Sequence, residues 1–215
     1  PGHTDYLAKI LEGESLMFMI SDGLKVGLIT DHIPIKNIHS SINNELIMLK
    51  HSILKNSLIK DFKIQKPKIA FLSIDPHVGD GGIIGKDDED ILKPSLIEIS
   101  KTGDLVFGPF SSDSFFGSGS YKKYDAVLAI YHDQGLIPFK TLSFGEGVNY
   151  TAGLDKIRTS PDHGTGYDIA GKGIADSSSF KKAIYSAIDI FNSRKLYEKL
   201  KTNSLPISGS KRSSK

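Results

Sequence analysis

The sequence lacks cysteine throughout its 215 residues. Without cysteine the chain can form no disulfide, no thiolate nucleophile and no cysteine-ligated metal centre. No apolar run approaches the roughly 20 residues that a membrane-spanning helix requires. The net charge of +2 is too small to indicate binding to nucleic acid or to an anionic membrane. With 39% hydrophobic and 24% charged residues, the composition is that of a soluble globular protein, and we expect no nucleic-acid partner and no membrane partner.

Segments typical of strands alternate with segments typical of helices along most of the chain. The pattern predicts strands at residues 16–20, 24–30, 68–74, 105–110 and 126–131, and helices at 43–59, 87–100 and 177–200. A tight turn at Asp22-Gly23 predicts that the first two strands pair as a hairpin. The glycine- and serine-rich residues 111–120 are expected to form a loop. Such alternation favours an α/β fold with a largely parallel core.

A histidine follows three of the predicted strands, each time with an aspartate nearby, in Thr30-Asp-His32, Ile74-Asp-Pro-His77 and Tyr131-His-Asp133. Open α/β sheets bind ligands at the carboxyl ends of their strands, and imidazole is a common ligand of first-row divalent ions. We therefore interpret these three histidines as candidate ligands of one metal. The alternative is three ordinary polar residues, since no local ligand motif such as HExxH is present. His39 and His51 are expected on the surface.

Farther along the chain, three residues are able to bind an anion, namely Lys140, Asn149 and Arg158. Lysine and arginine donate hydrogen bonds to anionic groups, and the glycines of Phe144-Gly-Glu-Gly-Val-Asn149 let backbone N–H groups approach a phosphate. Ordinary surface charge in a loop explains these residues equally well. GxGxxG after a strand and GxxxxGK[ST] are both missing, so a standard Rossmann or P-loop nucleotide site is not expected.

Several short motifs occur in a fixed order, and their order is more specific than any one of them. They are Pro1-Gly-His-Thr4, Thr30-Asp-His-Ile-Pro-Ile35, Asp75-Pro-His-Val-Gly-Asp-Gly-Gly82, Tyr131-His-Asp-Gln-Gly-Leu136, Phe144-Gly-Glu-Gly-Val-Asn149, Ile157-Arg-Thr-Ser160 and Asp162-His-Gly-Thr165. As an ordered set, this sequence resembles the 4-hydroxythreonine-4-phosphate dehydrogenase family of vitamin B6 biosynthesis from Pro1 to about Ser193. The family's chain is longer at its N-terminus. We therefore expect that an N-terminal part is missing here, and that this chain is inactive or unable to fold properly without it.

The resemblance implies a role for each candidate residue. A divalent ion such as Zn²⁺, Mg²⁺, Co²⁺ or Mn²⁺ would be held by His32, His77 and His132. The family's substrate-binding residues match His3, Thr4, Lys140, Asn149 and Arg158. Its catalytic residues match Asp113, Asp133 and Lys140. The general base stays open between the two aspartates and a bound water.

The resemblance also implies an isocitrate/isopropylmalate dehydrogenase-like fold, with a parallel or mixed sheet flanked by helices and incomplete at the N-terminus. Such enzymes bind NAD without a Rossmann motif; NADP is the alternative. The cofactor-binding residues would be His163, Thr165 and Asp168. Residues 1–200 would form the C-terminal two-thirds of a two-lobed dehydrogenase, with the metal, substrate and dimer lobe and part of the cofactor lobe. Residues 201–215 would be a disordered tail. The working unit would be a cytoplasmic homodimer with its active site at the interface.

The implied reaction is NAD-dependent oxidation of 4-phosphooxy-L-threonine, followed by decarboxylation to 3-amino-2-oxopropyl phosphate. A paralogous dehydrogenase for a phosphothreonate or phosphoerythronate would carry nearly the same residues. A metal-dependent hydrolase, or a non-catalytic module that binds metal and phosphate, remains open as a different class.

Overall fold

A seven-stranded mixed sheet forms the centre of the computed structural model, which describes residues 13–143, 145–163 and 166–203. The strand order within this described part is β4-β3-β5-β2-β1-β6-β7. The strands are β1 (Leu16–Ile20), β2 (Lys25–Leu28), β3 (Lys68–Leu72), β4 (Leu105–Phe110), β5 (Ala126–Ala129), β6 (Val148–Ala152) and β7 (Thr159–Pro161).

Four neighbouring strands, β4, β3, β5 and β2, run parallel. Their carboxyl ends therefore lie along one edge of the sheet, called the carboxyl edge below. β1 is antiparallel to both β2 and β6, and β6 is antiparallel to β7. The predicted hairpin of the first two strands and the predicted parallel core are confirmed. β6 and β7 lie in a segment where the sequence predicts no strand.

Helices cover both faces of the sheet, namely α1 (Ile38–Ser41), α2 (Asn44–Lys60), α3 (Lys93–Lys101), α4 (Ser112–Gly117), α5 (His132–Ser143) and α6 (Ser178–Thr202). α2 confirms the helix predicted at 43–59, and the Asn43 side-chain oxygen caps it by accepting a 2.8 Å hydrogen bond from the Leu46 amide. The helix predicted at 87–100 consists of a π-helical turn, Asp88–Leu92, continued by α3. Pro94 lies in the first turn of α3, where its missing N–H is not needed.

The alternation of side chains along β1 divides the core into two layers. Leu16 and Phe18 face the layer that contains α2, α3 and α6, whereas Met17 and Met19 face the layer that contains α4 and α5. All four side chains are buried. Because helices cover both faces, β1 is an uninterrupted apolar run rather than an alternating one.

The predicted loop at residues 111–120 is wrong, because helix α4 occupies most of it. Phe115 of α4 is buried and stacks on Phe110, with 5.0 Å between ring centroids, and also contacts Tyr124. This aromatic packing outweighs the weak helix propensity of the surrounding glycines and serines.

The helix predicted at 177–200 is confirmed as α6, but several of its large apolar side chains are exposed in the described chain. Phe180, Ile184 and Phe191 are 58%, 46% and 59% exposed. The helix packs instead through Ala183 and Ile190, together with side chains described below. It ends at Thr202, two residues past the predicted end of the helix, and residues 204–215 lie outside the described part. Among the described residues, every helix is too short or too polar to span a bilayer.

Candidate active site

The three candidate metal ligands follow three neighbouring parallel strands. His32 comes after β2 and His77 after β3, and His132 comes after β5 and begins helix α5. β5 lies between the other two strands, so all three histidines lie at the carboxyl edge. This is the position expected from the strand ends in the sequence.

Close packing of α5 on the sheet fixes His132 at this edge. A Cβ atom on Gly135 would lie 2.8–2.9 Å from side-chain atoms of Leu28, Ala129 and Val26. Real Cβ contacts are longer, so only glycine lets the first turn of the helix approach the strands this closely.

Two of the three histidines are close neighbours. The rings of His32 and His132 lie 5.7 Å apart between centroids, and both line a cavity of about 240 Å³ together with Asp31 and Asp133. The His132 Nδ1 atom lies 2.7 Å from an oxygen of Asp133, which orients the ring. Two imidazoles and two carboxylates are a donor set that suits a first-row divalent ion.

His77 lines a different and larger cavity, of about 730 Å³, together with Asp75, Asp113 and Asp133. Among the residues that the structure describes, no group of three histidine or acidic side chains is close enough to hold one cation. The predicted convergence of three imidazoles is therefore not formed within the described part of a single chain, although Asp133 lines both cavities.

Asp113, a predicted catalytic residue, lies in the first turn of α4 within the larger cavity. A 2.7 Å hydrogen bond from the Ser111 hydroxyl and a bond from the Ser114 amide lower the pKa of its carboxyl group. His77 adds a favourable charge interaction. Asp113 is therefore ionised near neutral pH.

The predicted anion-binding residues lie farther along α5, on β6 and immediately before β7. The Lys140 Nζ atom lies 3.2 Å from a carboxylate oxygen of Asp162 and donates to the Asp162 carbonyl group at 3.2 Å. Burial raises the pKa of Asp162, and the nearby Lys140 opposes this shift. Arg158 donates a 3.3 Å hydrogen bond to Thr151, and burial lowers the pKa of its guanidinium. The side-chain oxygen of Asn149 is buried and accepts no hydrogen bond from the described residues.

His132 begins α5, and Lys140 lies near the other end of the same helix. The helix advances eight residues from His132 to Lys140, and at 1.5 Å per residue this is a rise of about 12 Å. Asn149 pairs with Met19, which pairs with Val26 near the start of β2, so Asn149 also lies away from the carboxyl edge. One chain thus keeps the candidate metal ligands apart from Lys140 and Asn149.

The predicted cofactor residues are only partly covered by the structure. His163 is adjacent to Asp162 in the chain and interacts with its charge. Asp168 is exposed in the short 3-10 turn Tyr167–Ile169. Thr165, like the predicted substrate residues His3 and Thr4, lies outside the described residues.

Three polar residues with clear roles in the geometry are not predicted by any pattern described above. Asp162 pairs with Lys140, whereas Gln134 and Asp88 bind the ends of strands by hydrogen bonds. Gln134 stands in the same polar run as His132, which was a usable signal. Asp88 lies in an acidic run that is typical of an exposed helix start, so nothing local distinguishes it.

Comparisons with known proteins show the family to which the chain belongs. The family model described as "Pyridoxal phosphate biosynthetic protein PdxA" matches residues 1–187. The chain belongs to the PdxA family. PdxA relatives named 4-hydroxythreonine-4-phosphate dehydrogenase include one from Bacteroides thetaiotaomicron, 47% identical over 207 residues. This match covers 95% of this chain and 57% of the relative. A second, from Sulfurihydrogenibium, is 47% identical and covers 90% of this chain and 60% of the relative.

Solved PdxA structures share the fold. The Klebsiella pneumoniae 4-hydroxythreonine-4-phosphate dehydrogenase superposes with a TM-score of 0.77 at 36% identity, over 88% of this chain and 58% of that one. A terephthalate 1,2-cis-dihydrodiol dehydrogenase from Burkholderia xenovorans superposes with a TM-score of 0.70 at 27% identity. This match covers 87% of this chain and 60% of the dehydrogenase. The fold is thus α/β, a mixed sheet flanked by helices, consistent with the isocitrate/isopropylmalate dehydrogenase-like class. The chain spans about three-fifths of the length of these relatives.

Proposed function

We propose that the protein oxidises 4-phosphooxy-L-threonine with NAD and a divalent metal, and that the product decarboxylates to 3-amino-2-oxopropyl phosphate. Membership of the PdxA family supports this proposal, since the relatives are named for this dehydrogenase activity. The observation that carries it is the placement of three histidines after adjacent parallel strands, beside cavities lined by aspartates.

The side chains at the carboxyl edge include candidate ligands for the metal and candidate acceptors for the hydroxyl proton. His32, His77 and His132 would hold the metal, with Asp31 and Asp133 beside them. When bound, a divalent ion lowers the pKa of a hydroxyl group and polarises a carbonyl, and NAD accepts hydride. Asp113 or Asp133 would accept the hydroxyl proton, because both carboxylates line the larger cavity.

Lys140, Asn149 and Arg158 would bind the substrate phosphate. Lysine and arginine supply charge-assisted hydrogen bonds, and Arg158 is held by its contact with Thr151. The buried oxygen of Asn149, which accepts nothing from the described chain, would receive a donor from the substrate. These contacts would fix the reacting carbon, and positioning of this kind can contribute several kcal/mol to catalysis.

A homodimer would bring these groups together. Within one chain, Lys140 is about 12 Å along α5 from His132, which is far for a small substrate that must reach both. A two-fold symmetric pair can place the anion-binding residues of one copy beside the histidines of the other. We therefore propose that each active site is shared between two copies.

A second substrate class has support from one comparison. The Burkholderia xenovorans neighbour, named for a dihydrodiol substrate, has the same fold at 27% identity. The fold therefore accommodates dehydrogenases for different alcohols, and a phosphothreonate or phosphoerythronate is the alternative substrate for this protein.

The direct test is an assay of NADH formation by the purified full-length protein. We expect NADH to form with 4-phosphooxy-L-threonine, to stop after treatment with a chelator, and to resume when Zn²⁺ or Mn²⁺ is added. Higher kcat/KM with 4-phosphoerythronate would favour the paralogous activity. Failure to form NADH with either substrate would reject the dehydrogenase proposal.

A further inference from the structure

The segment that carries His77 has an unusual backbone. Five consecutive residues, from His77 to Gly81, have φ angles between 46° and 77°. Three of them, His77, Val78 and Asp80, are not glycine. L-amino acids are strained in this left-handed region, most of all β-branched ones. Strain of this kind persists only where the surrounding structure holds the segment firmly.

Asp88 holds the start of this segment. Its carboxyl group is fully buried and accepts 2.9 Å hydrogen bonds from the amides of Ile74 and Asp75, one on each oxygen. The Asp75 carboxylate in turn accepts a 3.1 Å bond from the Asp87 amide. Residues 75–87 therefore form a loop that is closed at its base by two carboxylates.

Gln134 ties this loop to the neighbouring strand end. Its side-chain oxygen accepts a 2.7 Å hydrogen bond from the Ile130 amide at the end of β5. Its side-chain nitrogen donates a 2.8 Å bond to the Ser73 carbonyl, two residues before the loop. These bonds bridge β3 and β5 beyond Phe71 and Leu128, the last pair in their ladder.

Asp88 and Gln134 connect the backbone segments that carry His77, His132 and Asp133. Asp88 binds the strand end that leads to His77, and Gln134 is adjacent in sequence to Asp133. We propose that Asp88 and Gln134 are positioning residues, together called the clasp, that fix His77 relative to His132 and Asp133. This proposal rests on the proposed function for the role of those three groups.

Neither clasp residue needs to touch the substrate for this role. The clasp acts through backbone groups, since each of its hydrogen bonds goes to a main-chain N–H or C=O at a strand end. Its loss would let the strained loop relax and move the His77 ring. Supporting residues of this kind typically change metal affinity or activity by 10- to 100-fold when they are replaced.

The test compares three variants of the full-length protein. Asp88→Asn puts an amide N–H against a backbone N–H, and Gln134→Met removes both hydrogen bonds while keeping the side-chain length. Asp61→Asn is the matched control, because Asp61 is another buried carboxylate, at the opposite edge of the sheet near Lys25, the first residue of β2. The measurements are kcat, KM, the dissociation constant for Zn²⁺ by calorimetry, and the melting temperature.

We expect both clasp variants to lower kcat and to weaken Zn²⁺ binding by about tenfold or more, with little change in KM. The Asp61→Asn variant should melt earlier but retain kcat and Zn²⁺ affinity. Clasp variants that only lose thermal stability, or a control that loses kcat equally, would overturn the proposal. If the wild-type protein forms no NADH, the proposed function fails, and the Zn²⁺ titrations alone then decide whether the clasp orders the histidines.

Discussion

The histidines of this protein differ in what their rings contact, and these contacts set their chemistry. His132 lies beside His32 and is oriented by Asp133. His51, expected on the surface, is buried, and its Nε2 atom makes no hydrogen bond within the described chain. Sequence neighbours alone do not separate a ligand from a core residue, because helix α2 presents both buried and exposed positions.

Replacing single candidate residues should separate metal binding from phosphate binding. His77→Ala and His132→Ala should each lose bound metal and turnover, because each removes a proposed ligand. Lys140→Ala should keep the metal and raise KM about tenfold or more, since a hydrogen bond to a charged group contributes roughly 1.5–3 kcal/mol. Elemental analysis and steady-state kinetics measure both properties. Full metal content in the histidine variants would reject their assignment as ligands.

His51 should make the protein sensitive to acid. Burial lowers its pKa from 6.5 to about 4, although Asp104 opposes the shift. Above pH 6.5 the folded and unfolded states are both neutral at this site. As the pH falls from 6.5 towards 4, the unfolded state takes up a proton at His51 before the folded state does. The free energy of unfolding therefore falls by up to about 3 kcal/mol. Urea unfolding of His51→Phe should show a smaller loss over this window than the wild-type protein shows; equal losses would contradict the assignment.

At the scale of the element, the loop after β3 depends on glycine. Gly79 has a φ of +77°, and a Cβ atom there would lie 2.4 Å from the Gly85 carbonyl oxygen. Gly103 has a φ of +89° but no heavy atom within 4 Å of such a Cβ. Gly103→Ala should therefore cost about 1 kcal/mol of unfolding free energy, and Gly79→Ala roughly 2 kcal/mol more because of the clash. Chemical denaturation measures both values, and equal costs would show that the clash is relieved.

Helix α6 is anchored by a buried polar network rather than by its longest apolar stripe. Arg194 donates 2.7 Å hydrogen bonds to Asp61 and to the hydroxyl of Tyr150, which itself donates to Asp61 at 2.6 Å. The Arg194 and Asp61 side chains are 13% and 2% exposed. This network joins α6 to α2 and β6.

Removing Arg194 should destabilise the fold strongly. Arg194→Met would leave the Asp61 carboxylate buried without its cation, which typically costs about 3–5 kcal/mol. Lys60→Met is the control, because Lys60 pairs with Glu198 between side chains that are 38% and 55% exposed, and such pairs contribute about 1 kcal/mol or less. Thermal and urea unfolding compare the two, and similar costs would show that the network carries little stability.

At the scale of the whole molecule, the sequence predicted the parts of the fold that have strong periodicity. The β1–β2 hairpin, the parallel strands and α2 follow from apolar patterns and a cap that are local in sequence. Helices α4 and α5 and strands β6 and β7 were missed, because they depend on tertiary packing and on pairing with distant β1. The strand-end positions of the three histidines were predictable for the same reason as the strands.

The sequence did not predict that the candidate site residues lie in separate groups within one chain. Sequence order does not show that His77 opens towards a different cavity from His32 and His132. Nor does it show that α5 carries Lys140 away from the carboxyl edge. These facts depend on the direction of a helix across the sheet and on a left-handed turn, and they are the basis for proposing a shared site.

The most direct test of the shared site is complementation between two inactive variants of the full-length protein. His77→Ala lacks a proposed metal ligand and Arg158→Ala a proposed phosphate ligand, and each alone should form little NADH. If each site takes its histidines from one copy and its phosphate ligands from the other, dissociating and reassociating an equimolar mixture should restore about a quarter of wild-type activity, because half of the dimers are mixed and each mixed dimer has one intact site. A mixture that stays as inactive as the separate variants, while mixed dimers are shown to form, would contradict the account.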